Sequence, residues 1–552
     1  MRLCYSSGLA GTPKVISAQF WLENTRLWVA NNNIRMVVTK MVGLKFCWVV
    51  HTGAIFTYKP TYPAASFFLY TNLQARSINR LQPISIKMGS IQEKEIATLN
   101  SLAAQISDLA AKMTKQLEAE KVPPVTLEAN SPIKYSNISG EVFMTRQRLE
   151  DALKDMWILS QGPSDSVFNY VHMAIPDASC LNILNRFNFW NAVPIEGEAN
   201  FEEIAKQTKL PLEVVSRVLE HAVTMRFFVK PSPTATSVRH TSRSAALAKD
   251  AGLSALVHMV LDETGPPMFM LPEALRRFSQ GKPDITKNMK ETAFKLCHSG
   301  GAWGDYENSW DFIENDGQGE EKGWRQRNFI KFMAYIKDLF QTESHVLGAI
   351  DWKAAGDATV VDVSISQTNL YITHATNTQQ IGGSAGHDDA VLAKKFPNLK
   401  IIVEDLPEVA AVFEKEFPAD LKSRVSFRTH NMFDPQPVQA DIYMLKWILH
   451  DWPDAESVKI LQALRPALKP GARIVFVDYV GKQGPSEEEL PRSIHGFGTA
   501  MDLRMMALFN AKERPVEAWK EIFRLADERF DVVRVEADPL TFMCVLEAVW
   551  RG

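Results

Sequence analysis

His450 is the side chain in this 552-residue chain best suited to moving a proton. It titrates near neutrality, adjoins Asp451, and follows the apolar run Ile442-Tyr443-Met444-Leu445, which reads as a buried parallel strand. Ligands of open α/β sheets bind at the carboxyl ends of the strands, so His450 is a candidate general base. Two further features point to the same edge. The run Gly382-Gly383-Ser384-Ala385-Gly386 precedes a helical pattern and lets backbone N–H groups approach a ligand. Asp405, nineteen positions after Gly386, ends a second apolar run, where an acid can accept both hydroxyls of a ribose. A dinucleotide-type G-x-G-x-x-G directly after a strand is absent.

The elements that must position these residues alternate from residue 358 onward. Apolar strands are expected over 359–362, 400–403, 425–427, 441–446 and 473–478, with helices over 390–396, 409–417 and 455–468. Residues 531–536 and 542–550 read as a closing antiparallel pair. The fold class expected is α/β, a Rossmann-like doubly wound sheet with an antiparallel C-terminal hairpin over residues 348–552. Residues 138–347 read as mostly helical. Within them, 201–228 reads as helix, turn, helix, and residues 227–229 and 238–240 as the two strands of a wing. Ile96, Leu99, Leu102, Ile106, Leu109, Met113 and Leu117 recur three or four apart, giving a helical arm and linker over 88–137 that docks on a partner or on its own body.

Composition narrows the function classes. With 46% hydrophobic and 23% charged residues the chain has ample core, and a net charge of −3 gives no electrostatic reason for a nucleic-acid or anionic-membrane partner. Residues 201–230 hold four acidic residues, Glu202, Glu203, Glu213 and Glu220, against five basic ones, which is no footprint for DNA. Five scattered cysteines without a C-x-x-C pair imply neither disulfides nor structural zinc, and a reducing, cytoplasmic location is expected. Residues 1–87 carry ten Lys and Arg but one acid, Glu23, and show no sustained period; a non-native or disordered leader is expected there, with Met88 as the working start.

Taken together, Gly382 to Gly386, Glu404-Asp405-Leu406-Pro407, Asn431-Met432-Phe433, Lys446-Trp447-Ile448-Leu449-His450-Asp451-Trp452 and Lys512-Glu513-Arg514 resemble the motifs of class I S-adenosylmethionine-dependent O-methyltransferases. The resemblance runs from about Leu99 to the C-terminus and is strongest to the subfamily of plant caffeate-type and fungal secondary-metabolite enzymes. It implies S-adenosyl-L-methionine as cofactor, a small aromatic hydroxylated substrate, a winged-helix dimerisation domain, a homodimer and no metal. It implies His450 as the base, bracketed by Asp478 and Glu513, with Asp478 standing where the family usually has glutamate. Cofactor contacts are implied for Gly382, Gly383, Asp405, Asn431, Met432 and Lys446, with Asn431 where aspartate is common. Met505, with Met501 and Phe509 on the segment before Glu513, matches the part that clamps a planar substrate.

One segment interrupts this pattern. Residues 363–380, eighteen in all, part Val360-Val361-Asp362 from Ile381-Gly382-Gly383, and removing them joins Val-Val-Asp to Ile-Gly-Gly-Ser-Ala-Gly. Val363-Ser364 can be written GTRAGT, Thr376-Asn377 ACTAAC and Gln380 CAG, so the segment reads as a retained in-phase intron. Two function classes follow: an O-methyltransferase acting on an aromatic secondary metabolite, a polyketide by preference, or a non-catalytic binding or regulatory protein of the same fold. Intact His450 and Glu513 favour the first; the interruption favours the second.

Overall fold

The structure is a computed structural model that describes residues 38–41, 44–51, 54–58, 96–363, 386–405, 407–481, 490–538 and 541–552. Gly382, Gly383 and most of the segment 363–380 lie outside the described residues, as does most of the leader. The chain divides into two units, Met1–Ile96 and Ala97–Gly552. In the first, β1 (Val38–Met41), β2 (Leu44–His51) and β3 (Ala54–Tyr58) form an antiparallel meander, where the sequence showed no sustained period. These strands are rich in β-branched and aromatic residue types, and neighbouring hairpins need only local pairing.

The second unit opens with the helix Leu99–Ala119. Thr98 and Ser101 form a reciprocal capping box: Ser101 N donates to Thr98 Oγ1 at 3.1 Å and Thr98 N to Ser101 Oγ at 2.9 Å. The expected apolar stripe is used only in part. Leu102 and Met113 are buried, whereas Leu99 is 49% exposed and Ile96 lies ahead of the helix; the helix lies beside Gly140–Gln161, to which Gln116 and Lys112 are tied through Glu141. After the helix Pro163–Arg186 come β4 (Ala199–Asn200), the helices Phe201–Thr208 and Leu212–Thr224, β5 (Phe228–Val229) and β6 (Ser237–His240), in a small sheet of order β4-β6-β5. Ile204, Val215, Leu219, Phe228 and Val238 form its core.

The large sheet contains β7 (Thr359–Val363), β8 (Lys400–Asp405), β9 (Val425–Thr429), β10 (Ile442–Lys446), β11 (Arg473–Tyr479), β12 (Phe530–Asp538) and β13 (Met543–Trp550), in the order β12-β13-β11-β10-β7-β8-β9. Strands β7 to β11 are parallel to one another; β13 runs antiparallel to both β11 and β12. Strand order reverses between β7 and β10, which opens a ligand crevice at their carboxyl ends. All five residues of β10 are buried and alternate between two cores. Tyr443 and Leu445 pack with Ile460, Leu461, Trp519 and Phe523 on one face; Ile442 and Met444 pack with Leu392, Phe413 and Trp352 on the other. Helix bounds move from expectation: His387–Lys395, Ala410–Glu416 and Asp454–Leu464 replace 390–396, 409–417 and 455–468. At the last of these, Arg465-Pro466-Ala467 tightens into a 3₁₀ turn, since proline has no N–H to continue the α ladder.

Candidate active site

His450 sits where β10 is forced to stop. Trp447 adopts a φ of 52°, a conformation that a bulky residue takes only under tertiary constraint, and the chain turns from the sheet into the short 3₁₀ turn Leu449–Asp451. That turn is held on both sides. Leu449 N donates to Asp478 Oδ2 at 3.0 Å, from the end of β11. Arg514, fully buried, donates from Nη1 to Leu449 O at 3.1 Å and from Nη2 to Trp452 O at 2.6 Å, while its Nε donates to Asp454 Oδ1 at 2.8 Å. Ser457 Oγ adds bonds to the same two carbonyls at 3.2 and 3.3 Å.

The imidazole lies between two carboxylates at ion-pair range. His450 Nδ1 is 3.6 Å from Glu513 Oε1, and Nε2 is 3.7 Å from Asp451 Oδ1. Asp478 acts differently from the expectation that it brackets the ring. Its two oxygens accept from Leu449 N and Tyr479 N, so the shorter side chain orients the backbone that carries His450 and reaches the ring only through its charge. Glu513 is brought in by close backbone contact: a Cβ on Gly481 would lie 2.4 Å from Glu513 O, so only glycine fits where the chain leaves β11.

Electrostatics follow from this crowding. Burial alone would favour neutral His450, but Asp451, Asp478 and Glu513 together hold it well above its ordinary 6.5. Burial raises all three acids in turn, Asp451 to about 7. One imidazole and three carboxyl groups therefore titrate as an interacting set, each raised from its ordinary value.

Across the crevice, Asp405 is buried at the end of β8, and its carbonyl accepts from His430 N at 3.0 Å. Met432 is 3% exposed against the core; Asn431 is part-exposed and its Oδ1 accepts from Phe433 N at 3.1 Å. Lys446 is buried and paired with Asp388, which Lys337 also reaches at 3.2 Å. Sequence reasoning missed Asp388, Lys337 and the buried Asp389, whose carboxyl is held well above the ordinary carboxylate range by burial and by the neighbouring Asp362. It also missed the clamp by Arg514. Their signals were faint: two acids in the first turn after a glycine run, and an arginine beside Glu513.

Met505 is 8% exposed and packs with Phe294, Phe312, Leu508 and Phe509, and Phe509 stacks on Trp310 at 5.4 Å with 17° between the rings. The sequence placed His450 and Asp405 on one edge of the sheet and the resemblance implied Glu513 beside the histidine; the structure brings His450 Nδ1 and Glu513 Oε1 to 3.6 Å.

A family model described as the O-methyltransferase domain matches residues 357–527. O-methyltransferase lcsG of Purpureocillium lilacinum is 38% identical over 460 residues, spanning 82% of this chain and 94% of that protein. The chain belongs to the S-adenosylmethionine-dependent O-methyltransferases. A second relative of this methyltransferase, O-methyltransferase aoiF of Aspergillus oryzae, is 33% identical over 423 residues, spanning 75% of this chain and 90% of that protein. In fold the methyltransferase is similar to the crystal structure of OxaC, with a TM-score of 0.60 at 18% identity over 82% of this chain and 98% of that one. The Mitomycin 7-O-methyltransferase MmcR gives 0.55 at 17% identity over 70% of this chain and 98% of that one.

The described residues of the methyltransferase fit its cofactor. Asp405 offers an acid for a ribose diol, Met432 an apolar face for a base, and the buried Asp362 near the end of β7 an acid that suits a cationic amino acid end. Among the described residues no group of three or more His, Cys, Asp or Glu side chains could hold a metal ion, and no single helix is long and apolar enough to cross a membrane.

Proposed function

We propose that this O-methyltransferase methylates a hydroxyl of an aromatic secondary metabolite, with His450 as general base. The observation that carries the reading is the position of His450 at the carboxyl end of β10, with Glu513 3.6 Å from Nδ1. S-adenosylmethionine supplies the electrophilic methyl. His450 Nε2 takes the proton of the acceptor hydroxyl, Glu513 favours the imidazolium that results, and Asp478 with Arg514 keeps the turn in place. Asp405 and Met432 serve the nucleoside, and Lys446 holds Asp388 beside it. Gly382 and Gly383 serve as backbone donors, and Met505 as part of the acceptor wall with Phe509 and Trp310.

A homodimer built on a winged-helix domain completes the proposal. The helix-turn-helix and its hairpin β5–β6 carry no basic footprint, and the helices before them expose Trp157, Phe168, Tyr170 and Val171 at 52%, 64%, 68% and 64%. An apolar patch of that kind suits a second copy of the chain. The relatives support the metabolite class: another, the grayanic acid biosynthesis cluster O-methyltransferase of Cladonia grayi, is 28% identical over 459 residues. Calorimetric titration with S-adenosylmethionine, followed by assay against a panel of phenols, tests the reading. Binding with methyl transfer to a phenolic oxygen is expected; no binding would leave only the non-catalytic alternative.

A further inference from the structure

A cation with no carboxylate partner among the described residues lies on the helix Arg492–Phe509, which carries the proposed acceptor wall. Phe497, Met501, Arg504, Met505 and Leu508 share one face of the helix Arg492–Phe509. Arg504 is part-buried, and among the described residues its one hydrogen bond runs from Nη1 to the sulfur of Met501 at 3.1 Å. No carboxylate pairs with it there; Tyr479 is the group whose charge it feels. A part-buried guanidinium with no carboxylate partner among the described residues presents a planar fork of donors that a ligand carboxylate can complete.

Tyr479 is the second, independent observation. It is 3% exposed, and its hydroxyl makes no hydrogen bond among the described residues. Its ring is fixed from several directions: stacked on Phe542 at 5.9 Å and edge-on to Phe340 at 6.0 Å, with its carbonyl accepting from Trp519 Nε1 at 3.0 Å. Phe542 also meets Phe497 at 4.9 Å, so the end of β11 and the Arg492–Phe509 helix share one aromatic wall. The hydroxyl lies in the field of Glu513, the same carboxylate that approaches His450. A fixed donor in the field of Glu513, and a cation with no carboxylate partner among the described residues, thus stand on the two elements that share this wall.

We infer that Arg504 and Tyr479 form an anion subsite that binds a carboxylate carried by the aromatic acceptor. Arg504 is then a specificity-determining residue: its planar fork suits two carboxylate oxygens, and Tyr479 Oη donates to one of them. The acceptors selected are hydroxybenzoate-type acids rather than neutral phenols. This rests on the methyltransferase reading above, and its test separates the two.

The test measures binding of 2,4-dihydroxybenzoate and of its neutral carboxamide to the full chain saturated with S-adenosylhomocysteine. Wild type, Arg504→Met, Arg504→Lys and Tyr479→Phe are compared by titration calorimetry. The acid is expected to bind wild type at least ~10-fold more tightly than the amide, as loss of one charge-assisted contact in a desolvated site implies. Arg504→Met removes that preference, Arg504→Lys keeps part of it, and Tyr479→Phe reduces it, while affinity for S-adenosylhomocysteine stays unchanged in all four. Equal affinity for acid and amide, absence of acid binding at millimolar concentration, or a preference that survives Arg504→Met overturns the subsite. Failure of wild type to bind S-adenosylhomocysteine strikes the methyltransferase reading instead.

Discussion

Arg514 and Trp452 are joined by a 2.6 Å hydrogen bond from Nη2 to the backbone carbonyl, two residues beyond His450. The same guanidinium reaches the carbonyl of Leu449, one residue before it, and lies 4.8 Å from the ring of Trp519. The residue next to Glu513 therefore fixes the backbone on both sides of the histidine, so base and carboxylate are set in one piece.

Arg514→Met is expected to lower stability by about 2–3 kcal/mol, since it removes three buried charge-assisted donors and leaves the two carbonyls with Ser457 Oγ and Asp454 with Lys512. Thermal or urea unfolding reads this directly. Where the variant stays folded, kcat falls about 10²-fold with little change in KM, because a small displacement of the turn misplaces the ring. Arg514→Lys recovers only part of either loss, as an ammonium cannot serve all three acceptors in the fork geometry. A variant with unchanged stability and kcat would remove Arg514 from this role.

His450→Gln should lower kcat by about 10²- to 10⁴-fold, the usual contribution of a general base. Cofactor affinity stays near wild type by calorimetry, because the ring faces Glu513 and Asp451. Retention of more than about a tenth of kcat would rule His450 out as the base.

The pH profile carries a sign that Glu513 sets. His450 must be neutral to take a proton, and its folded pKa lies well above 6.5 because Asp451, Asp478 and Glu513 outweigh the burial that favours the neutral ring. kcat/KM is therefore expected to rise with pH through the range above 6.5 and then level off. Glu513→Gln removes one negative neighbour, lowers the proton affinity of the ring, and moves the rising limb to lower pH. The plateau drops at least about tenfold, since the imidazolium formed during transfer loses support. A limb that stays in place, or shifts upward, contradicts the assignment of Glu513.

Removal of residues 363–380 should leave the fold intact and tighten S-adenosylmethionine binding. Val363 ends β7 in register with Glu404, and the helix His387–Lys395 begins after Gly386 at a φ of 75°. In the shortened chain Ile381 takes the register of Val363, and the glycine run follows the strand directly. Calorimetry on both forms, with transcript reads across the junction, checks this. Weaker binding by the shortened protein, together with transcripts that all keep the segment, would make the segment functional.

The alternation of apolar strands and amphipathic helices was legible in the sequence because each element is written in neighbouring residues. The unbroken run at 442–445 required a strand buried on both faces, and β10 is one. His450 and Asp405 were legible for the same reason: a polar residue directly after such a run must lie on the carboxyl edge of the sheet. Partnerships across long stretches were not legible. Lys446 meets Asp388 across 58 positions, and Arg514 meets Leu449 across 65, because β10 lies between β7 and β11 and the chain from β11 returns past Gly481. The division of labour between Asp478 and Glu513 was decided at the same level. Both are acids near one histidine, but the shorter one reaches the backbone of Leu449 and the longer one approaches the ring, and only the placement of β11 against the turn makes that difference.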